Sequence, residues 1–345
     1  MPDLYPLRFK PIYKQYMWGG WRLAALLKRS IPPDEVFAES WEVCDHGEDQ
    51  SVVEGGPLSG LTLHELVEKY AGRLLGDAGK GDSPHLCEAP EGPSRQMGTV
   101  PFSHFPLLLK YLDAAKNLSL QVHPDDAMAA TLDPPDLGKT EAWYVLAAEP
   151  GSVIYAGLRE GVDRETFAHA IEQGTCEECL HCFEPRQGDC VYISAGTVHA
   201  LGAGILVAEI QQSSNTTFRL FDWNRLGTDG QPRELHVQQG LDAIDFARGP
   251  VSPIRNPVSR KDDSVSLVSS EKFSLERRLL LGPKNLGGDG RFHILTVVDG
   301  SMSIGGEYSK GSIACGQTVL LPAEIDPVRC TPCPDAMVLD AFMKK

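Results

Sequence analysis

A chain of 345 residues, 42% of them hydrophobic and 23% charged, holds enough apolar material for a large core or for two or three compact units. Its formal net charge of −15 argues against a general nucleic-acid or membrane-surface partner, so a site for an anion must be built from a few local Lys and Arg side chains. No apolar run reaches the roughly 18–20 residues that span a bilayer, and Met1 to Pro6 lack the features of a signal peptide, so the cytoplasm is the expected location.

In chain order, Leu61 to Leu75 predicts a helix. Thr62 can cap it, Glu65 stands three residues on in capping-box spacing, and Leu63, Leu66, Val67, Tyr70 and Leu74 fall on one side. Gly76 to Val100, rich in Gly, Pro, Ser and acidic residues, has no period and reads as a mobile loop. Phe105 to Leu112 reads as an apolar strand containing Lys110, which either snorkels to the surface or reaches an anionic ligand.

The stretch Leu118-Ser-Leu-Gln-Val-His-Pro-Asp-Asp126 carries the most chemistry. Gln121 and His123 are two apart, so on a strand they project from one face, and Ser119 joins them. After a loop rich in Asp, Pro and Gly comes Lys139-Thr-Glu-Ala-Trp143, where Glu141 opens a second apolar run and Lys139 shares its face. An amide oxygen, an imidazole and a carboxylate can converge on one divalent ion, and His199, in Ile193-Ser-Ala-Gly-Thr-Val-His-Ala-Leu201, is placed to complete the set. An N/O set without thiolate fits zinc, and less exclusively manganese or iron.

Asp163 to Gln173 predicts a second helix with Phe167, Ala170 and Ile171 on one side. Behind it, Cys176, Cys179 and Cys182 with His181, and later Cys330 and Cys333, raise the alternative of a second zinc site or a disulfide. An odd count of nine cysteines without a secretion signal favours free thiols. His46, His64, His85, His104, His169 and His236 lack partner spacing and read as solvated or hydrogen-bonded residues.

Short apolar or alternating runs at Val153 to Tyr155, Cys190 to Ile193, Ile205 to Gln211 and Phe218 to Trp223 predict the strands of a jelly roll. Ile205, Val207, Glu209 and Gln211 would share one face, which aims Glu209 and Gln211 into the cavity of the metal ligands; Arg219, Phe221 and Trp223 would share another. Three prolines between Gly249 and Val258 predict a linker at 251–260. Beyond it, Phe273 to Leu281, Arg291 to Val298, Ser301 to Ile304 and Thr318 to Leu321 predict strands, with Asp299-Gly300 as a hairpin turn. The expectation is an all-β protein of two cupin-like jelly rolls with a small helical addition. Residues 1–250 form the catalytic half and 261–345 a degenerate second half that covers apolar surface and sheet edges.

The order of these segments resembles the type I mannose-6-phosphate isomerases, zinc enzymes of the cupin superfamily, in their short bacterial form. Trp18-Gly-Gly20, Ala38-Glu-Ser-Trp-Glu42, Leu118 to Asp125, Gly138 to Tyr144, Ile193 to Leu201 and Ala208 to Arg225 carry the resemblance. It implies reversible interconversion of mannose 6-phosphate and fructose 6-phosphate, with one zinc per chain on Gln121, His123, Glu141 and His199. It also implies an essential arginine at Arg219 and a phosphate contact at Arg225. The residues themselves offer Glu209 as acid/base group, Lys139 as a donor to sugar oxygens, and Ser119 and Lys110 as substrate contacts. A phosphosugar is thus the expected partner, and the expected assembly is a monomer or weak homo-oligomer. Rival readings are an isomerase of another aldose, a sugar-binding cupin without turnover, and a metal-dependent dioxygenase. Lys139, Glu209 and Arg219 beside the ligands disfavour pure binding, and the Gln ligand disfavours oxygen chemistry.

Overall fold

Period-two alternation organises the middle of the chain into two antiparallel sheets. The computed structural model describes residues 2–28, 32, 35–76, 104–227, 230–255, 264–306 and 311–344. The loop expected at 76–100 lies beyond Gly76 outside the described residues, as do His85, the end of the expected linker and residues 261–263. Two compact units divide the chain. One comprises Met1–Ile12, Glu42–Leu108 and Pro257–Lys345, and the other Tyr13–Trp41 with Leu109–Asn256. No described helix is long and apolar enough to cross a membrane.

In the second unit, a six-stranded sheet runs in the order Ile12–Lys14, Glu39–Val43, Leu107–Ala114, Ile205–Gln212, Glu141–Ala148, Cys190–Ile193. A five-stranded sheet runs Phe218–Phe221, Leu120–Val122, His199–Leu201, Ile154–Leu158, Leu180–Phe183. Most neighbours in these orders are not consecutive strands of the chain, the crossing pattern of a jelly roll. The sheets face each other through Leu112, Trp143, Val145, Val191 and Val207 on one side and Ile154, Ala156 and Leu201 on the other. Each of these large side chains contributes about 1.5–3 kcal/mol through burial. The reverse face of the smaller sheet is equally apolar. Leu120, Val122, Ala200 and Leu220 meet Phe167, Ala170 and Leu241 of the helices Arg164–Gln173 and Val237–Ala243. Leu120 and Val122 therefore point outward to helices, and Gln121 between them points into the sandwich.

Both expected helices form, the first with its expected cap and the second with Asp163 as its cap. Thr62 and Glu65 make a reciprocal capping box on Leu63–Leu75, and the Asp163 side chain accepts the Thr166 N–H. The glycines of Trp18-Gly-Gly20 permit close approach. A Cβ on Gly19 would stand 2.8 Å from the Ala38 backbone nitrogen, and one on Gly20 would stand 2.6 Å from the Asp113 carboxylate, which pairs with Arg22.

The first unit is built on one seven-stranded sheet whose long strands His293–Ile304 and Val328–Phe342 pair along most of their length. The start of Val328–Phe342 pairs with Lys284–Leu286 and its end with Ser274–Leu280, so the sheet curls around a core of Leu295, Val297, Met302, Ile313, Val319 and Val338. Asp299-Gly300 is not a hairpin turn, as the sequence suggested. The strand passes straight through it, with register shifts on either side, because the long partner Val328–Phe342 continues the ladder past the glycine. The segment expected as a linker is bonded to the second unit as far as it is described, with Val251 donating to Ala156 and Ile254 paired with Cys190.

The described cysteines are free. Cys176 and Cys179 sit in the apolar cluster beneath the helix Arg164–Gln173, where burial pushes the Cys176 thiol up to about 11. Among the described residues, no cluster of three ligating side chains includes a cysteine.

In the first unit, His293 lies between two carboxylates, with Nδ1 2.7 Å from Asp340 Oδ1 and Nε2 3.2 Å from Asp289 Oδ1. Burial opposes its charge, but Asp340 and Asp289 prevail and raise its pKa to about 9. A group with a raised folded pKa stabilises fully below its unfolded pKa, near 6.5, and loses that contribution as pH climbs through 9. The shift corresponds to about 3 kcal/mol at most. Denaturant unfolding of the parent should therefore weaken between pH 6.5 and 9, and His293→Gln should flatten that slope; an unchanged slope refutes the pairing.

Candidate metal centre and active site

Across the inner face of the smaller sheet, three polar residues stand in one row. Gln121 is directly opposite His199 on one neighbouring strand and Arg219 on the other. The facing sheet contributes Glu141 at the start of its strand and Glu209, which is paired with Trp143. His123, just beyond the strand of Gln121, completes the group. The ligating atoms of His123, Glu141 and His199 all lie within 4.8 Å of one another, and all three residues are buried. Glu141 Oε2 is 3.5 Å from His123 Nε2, and Glu141 Oε1 is 3.4 Å from His199 Nε2.

Both imidazoles are set for ligation by their other nitrogen. His123 Nδ1 is 2.9 Å from the Thr216 carbonyl and His199 Nδ1 is 2.8 Å from the Thr197 carbonyl. A carbonyl only accepts, so each Nδ1 bears the hydrogen and each Nε2 lone pair faces the cluster. Burial, helped by the Lys139 charge, lowers the His123 pKa to about 3, and burial also lowers that of His199, which keeps both rings neutral. Burial works against a charged Glu141, but the adjoining Lys139 charge holds its pKa well below the ordinary value. Its Oε1 is buried without a hydrogen-bond partner. Such an orphaned carboxylate oxygen costs about 1–3 kcal/mol or more unless a cation meets it. Gln121 Nε2 is 3.2 Å from His199 Nε2, and a half-turn of the amide puts Oε1 there instead, turning a donor into a ligand. This donor set fits a divalent metal of the zinc type.

A chain of alternating charges leads away from the ligands. Lys139 Nζ donates to Glu141, lies 3.0 Å from His123 Nε2 and is 3.3 Å from Glu209 Oε1. Lys110 Nζ is 3.4 Å from the same Glu209 oxygen and 3.5 Å from Glu39 Oε2. Trp143 Nε1 donates to Glu209 Oε2 at 3.0 Å, and Trp41 Nε1 donates to Glu39 Oε2. Burial and the charge of Glu141 raise the Glu209 pKa, against the pull of both lysines. Burial disfavours a charged Lys110, but Glu209 and Glu39 prevail and raise its pKa. Lys110 does not snorkel; it is a buried counter-ion between two carboxylates. Glu39 was missed in the sequence because its partner is Lys110, 71 positions on, although it lies inside the Ala38 to Glu42 segment singled out above.

A second charged group surrounds Asp222. Arg225 and Arg233 both donate to its carboxylate, and Arg225 also donates to the Asn117 carbonyl. Arg219 Nη1 donates to the Glu234 carbonyl at 2.7 Å, while its Nε is buried without a partner; burial and Arg233 lower its pKa. Ser119 Oγ donates to Gln121 Oε1 at 3.4 Å. The strand expected to reach Trp223 ends at Phe221, because Trp223 and Asn224 take left-handed φ values of 56° and 53°. Trp223 therefore leaves the face of Arg219, and its Nε1 donates to the Leu118 carbonyl. Arg233 carried no sequence signal, since it belongs to no strand or motif. Gln211 stands directly opposite Glu141 on the neighbouring strand; its Nε2 donates to the Gln212 and Ser214 carbonyls and fastens the loop after its own strand, while its Oε1 is buried without a partner.

Two facing antiparallel sheets that enclose a His/Glu/His cluster define a β-sandwich of the cupin kind with a candidate metal site. Residues 6–142 match the family described as phosphomannose isomerase type I, catalytic domain. The chain is 35% identical over 308 residues to mannose-6-phosphate isomerase ManA of Bacillus subtilis, covering 88% of this chain and 89% of that one. The crystal structure of the mannose 6-phosphate isomerase from Bacillus subtilis superposes with a TM-score of 0.82 at 29% identity, covering 98% and 99% of the two chains. A mannose 6-phosphate isomerase bound with zinc and yttrium shares the fold at a TM-score of 0.73 and 16% identity, over 99% and 100%. The chain belongs to the type I mannose-6-phosphate isomerases, and it is an enzyme of that family.

The carbonyl that orients His123 is itself fixed from outside. Thr216 Oγ1 donates to Asp136 Oδ2 at 2.6 Å, and Ser214 Oγ donates to the same oxygen at 3.0 Å. Asp136→Ala should therefore leave every ligand in place yet weaken divalent-metal affinity about 10-fold or more. A competition titration against a chelator measures this, and parent-like affinity would show that Thr216 needs no such support.

Proposed function

We propose that the chain interconverts mannose 6-phosphate and fructose 6-phosphate through an enediol, with a zinc ion held by Gln121, His123, Glu141 and His199. The observation that carries the reading is the orphaned Glu141 oxygen between two neutral imidazoles, in a chain 35% identical to a mannose-6-phosphate isomerase. The zinc-bound relative of the same fold supports the choice of metal. When bound, the ion supplies Lewis acidity for charge that develops on the sugar oxygens.

The remaining work falls to side chains. Isomerisation moves one proton between C2 and C1 and another between the oxygens. Glu209 takes the role of acid/base group, because it is buried beside the candidate ligands and its pKa is raised above the ordinary carboxyl value, which makes it a readier proton acceptor. Lys139, within reach of both Glu209 and Glu141, donates to a sugar oxygen and keeps the two carboxylates from repelling each other. Lys110 holds Glu209 from the far side and is the weakest of the substrate contacts, since its ammonium is engaged by Glu209 and Glu39. Arg219, in the row with Gln121 and His199 and with Nε unsatisfied, offers its guanidinium to an enediolate or phosphate oxygen. Ser119 faces the same interior. Arg225 contacts the phosphate by giving up part of its bonding to Asp222 and Asn117.

A coupled assay on mannose 6-phosphate, with protein chelated and then reloaded with zinc, tests the whole reading: activity should vanish and return, and full turnover by the chelated protein overturns it. Unphosphorylated mannose run in parallel should turn over far more slowly, because the distal phosphate orients the reacting carbons. His199→Ala should lose the ion at this centre and activity together. Arg219→Ala should keep the metal and lose turnover on the order of 100-fold or more, with little recovery in Arg219→Lys. Arg225→Ala should chiefly raise KM. Near-parental turnover in Arg219→Ala removes that strand from the active site.

A further inference from the structure

A second cluster of ligating side chains lies in the other unit, assembled from three separate segments. Asp45 opens the two-residue strand Asp45–His46, His64 is in the first turn of the helix Leu63–Leu75, and His104 precedes the strand Leu107–Ala114. Their ligating atoms all lie within 4.8 Å of one another. We propose that Asp45, His64 and His104 form a second divalent-metal site, of the zinc type and separate from the catalytic centre.

The geometry is that of a site one small movement from closure. Asp45 is fully buried, and its Oδ2 is pinned by the Phe105 N–H at 2.7 Å, so the carboxylate cannot swing away. Its Oδ1 is 3.2 Å from His64 Nδ1. Two ligands on one tetrahedral zinc, each at about 2.0–2.1 Å, stand roughly 3.3 Å apart, so this pair already has the spacing of neighbouring ligands. The His64 and His104 ring centroids are 5.2 Å apart, and closing His104 onto the pair takes a shift on the order of 1–1.5 Å. His104 is exposed and His64 half-buried, which leaves the site open to loading from solvent. One helical turn past His64, Glu68 Oε1 is 3.7 Å from His64 Nε2, the nitrogen turned away from Asp45, so Glu68 can orient the ring while Nδ1 ligates and water completes the set. An N/O set without sulfur selects zinc or a neighbouring divalent ion over calcium or magnesium.

Because the ligands come from three distant stretches, a bound ion would cross-link them. It should stabilise the fold by an amount that grows with free metal concentration. An ordinary Asp–His hydrogen bond between Asp45 and His64 predicts no such metal dependence.

The test is a zinc titration of the chelated full-length chain, followed by calorimetry, elemental analysis after gel filtration, and Tm. The parent should take up two equivalents, the second more weakly, with Tm rising further as the second site fills. His104→Ala, a surface change, and the double variant His64→Ala/His104→Ala should each bind one equivalent and retain parental isomerase activity. His199→Ala should also bind one equivalent, at this second site, which keeps failure here distinct from failure of the catalytic assignment. A parent that binds one equivalent only, or a second equivalent that survives in the double variant, overturns the proposal.

Discussion

Glu141 places a negative charge at the centre of a hydrophobic sandwich, where an uncompensated carboxylate would cost several kcal/mol. The surrounding residues answer that single problem. Both imidazoles turn their lone pairs inward, Lys139 lies against the carboxylate, and one oxygen is left for a cation. The three buried carboxylates Glu39, Glu141 and Glu209 face two ammonium groups, Lys110 and Lys139, a sum of −3 + 2 = −1. A divalent ion would turn that excess into one positive charge. In a protein with a net charge of −15, a divalent ion there would make this interior a local exception to the overall sign.

The candidate ligand cluster was legible because it follows strand periodicity. Gln121 and His123 share a face two residues apart, and the Leu120/Val122 alternation that turns Gln121 inward is visible as letters. Helix boundaries were legible for the same local reason, since Thr62/Glu65 and Asp163 are caps written within three residues of their targets. What the sequence hid depends on long-range pairing. Glu39 meets Lys110, and Arg233 meets Asp222, only after sheets or loops have closed. The passage of a strand through Asp299-Gly300 depends equally on its partner, because a glycine that looks like a turn becomes a bulge when a longer strand runs beside it.

Acidic side chains outside the ligand cluster share a role. Asp136 gathers Ser214 and Thr216, and Asp126 accepts from Gly138 and Gln212. Asp222 gathers Arg225 and Arg233. Each ties a loop that leaves one sheet to a segment from elsewhere. Irregular backbone beside a reactive centre is thereby held nearly as firmly as a strand, which is what fixed ligand geometry requires.

The buried thiols beneath the helix Arg164–Gln173 have a practical consequence. With burial pushing its thiol up to about 11, Cys176 is a thiolate roughly a hundredfold more rarely than an unperturbed cysteine at the same pH. Cys182, only six positions on, is exposed. The pair forms an internal clock for hydrogen-exchange-like measurements. An alkylating reagent marks Cys182 at the chemical rate, and it marks Cys176 only as often as the helix lifts from the sheet, so the ratio of the two reads the opening equilibrium of that layer directly.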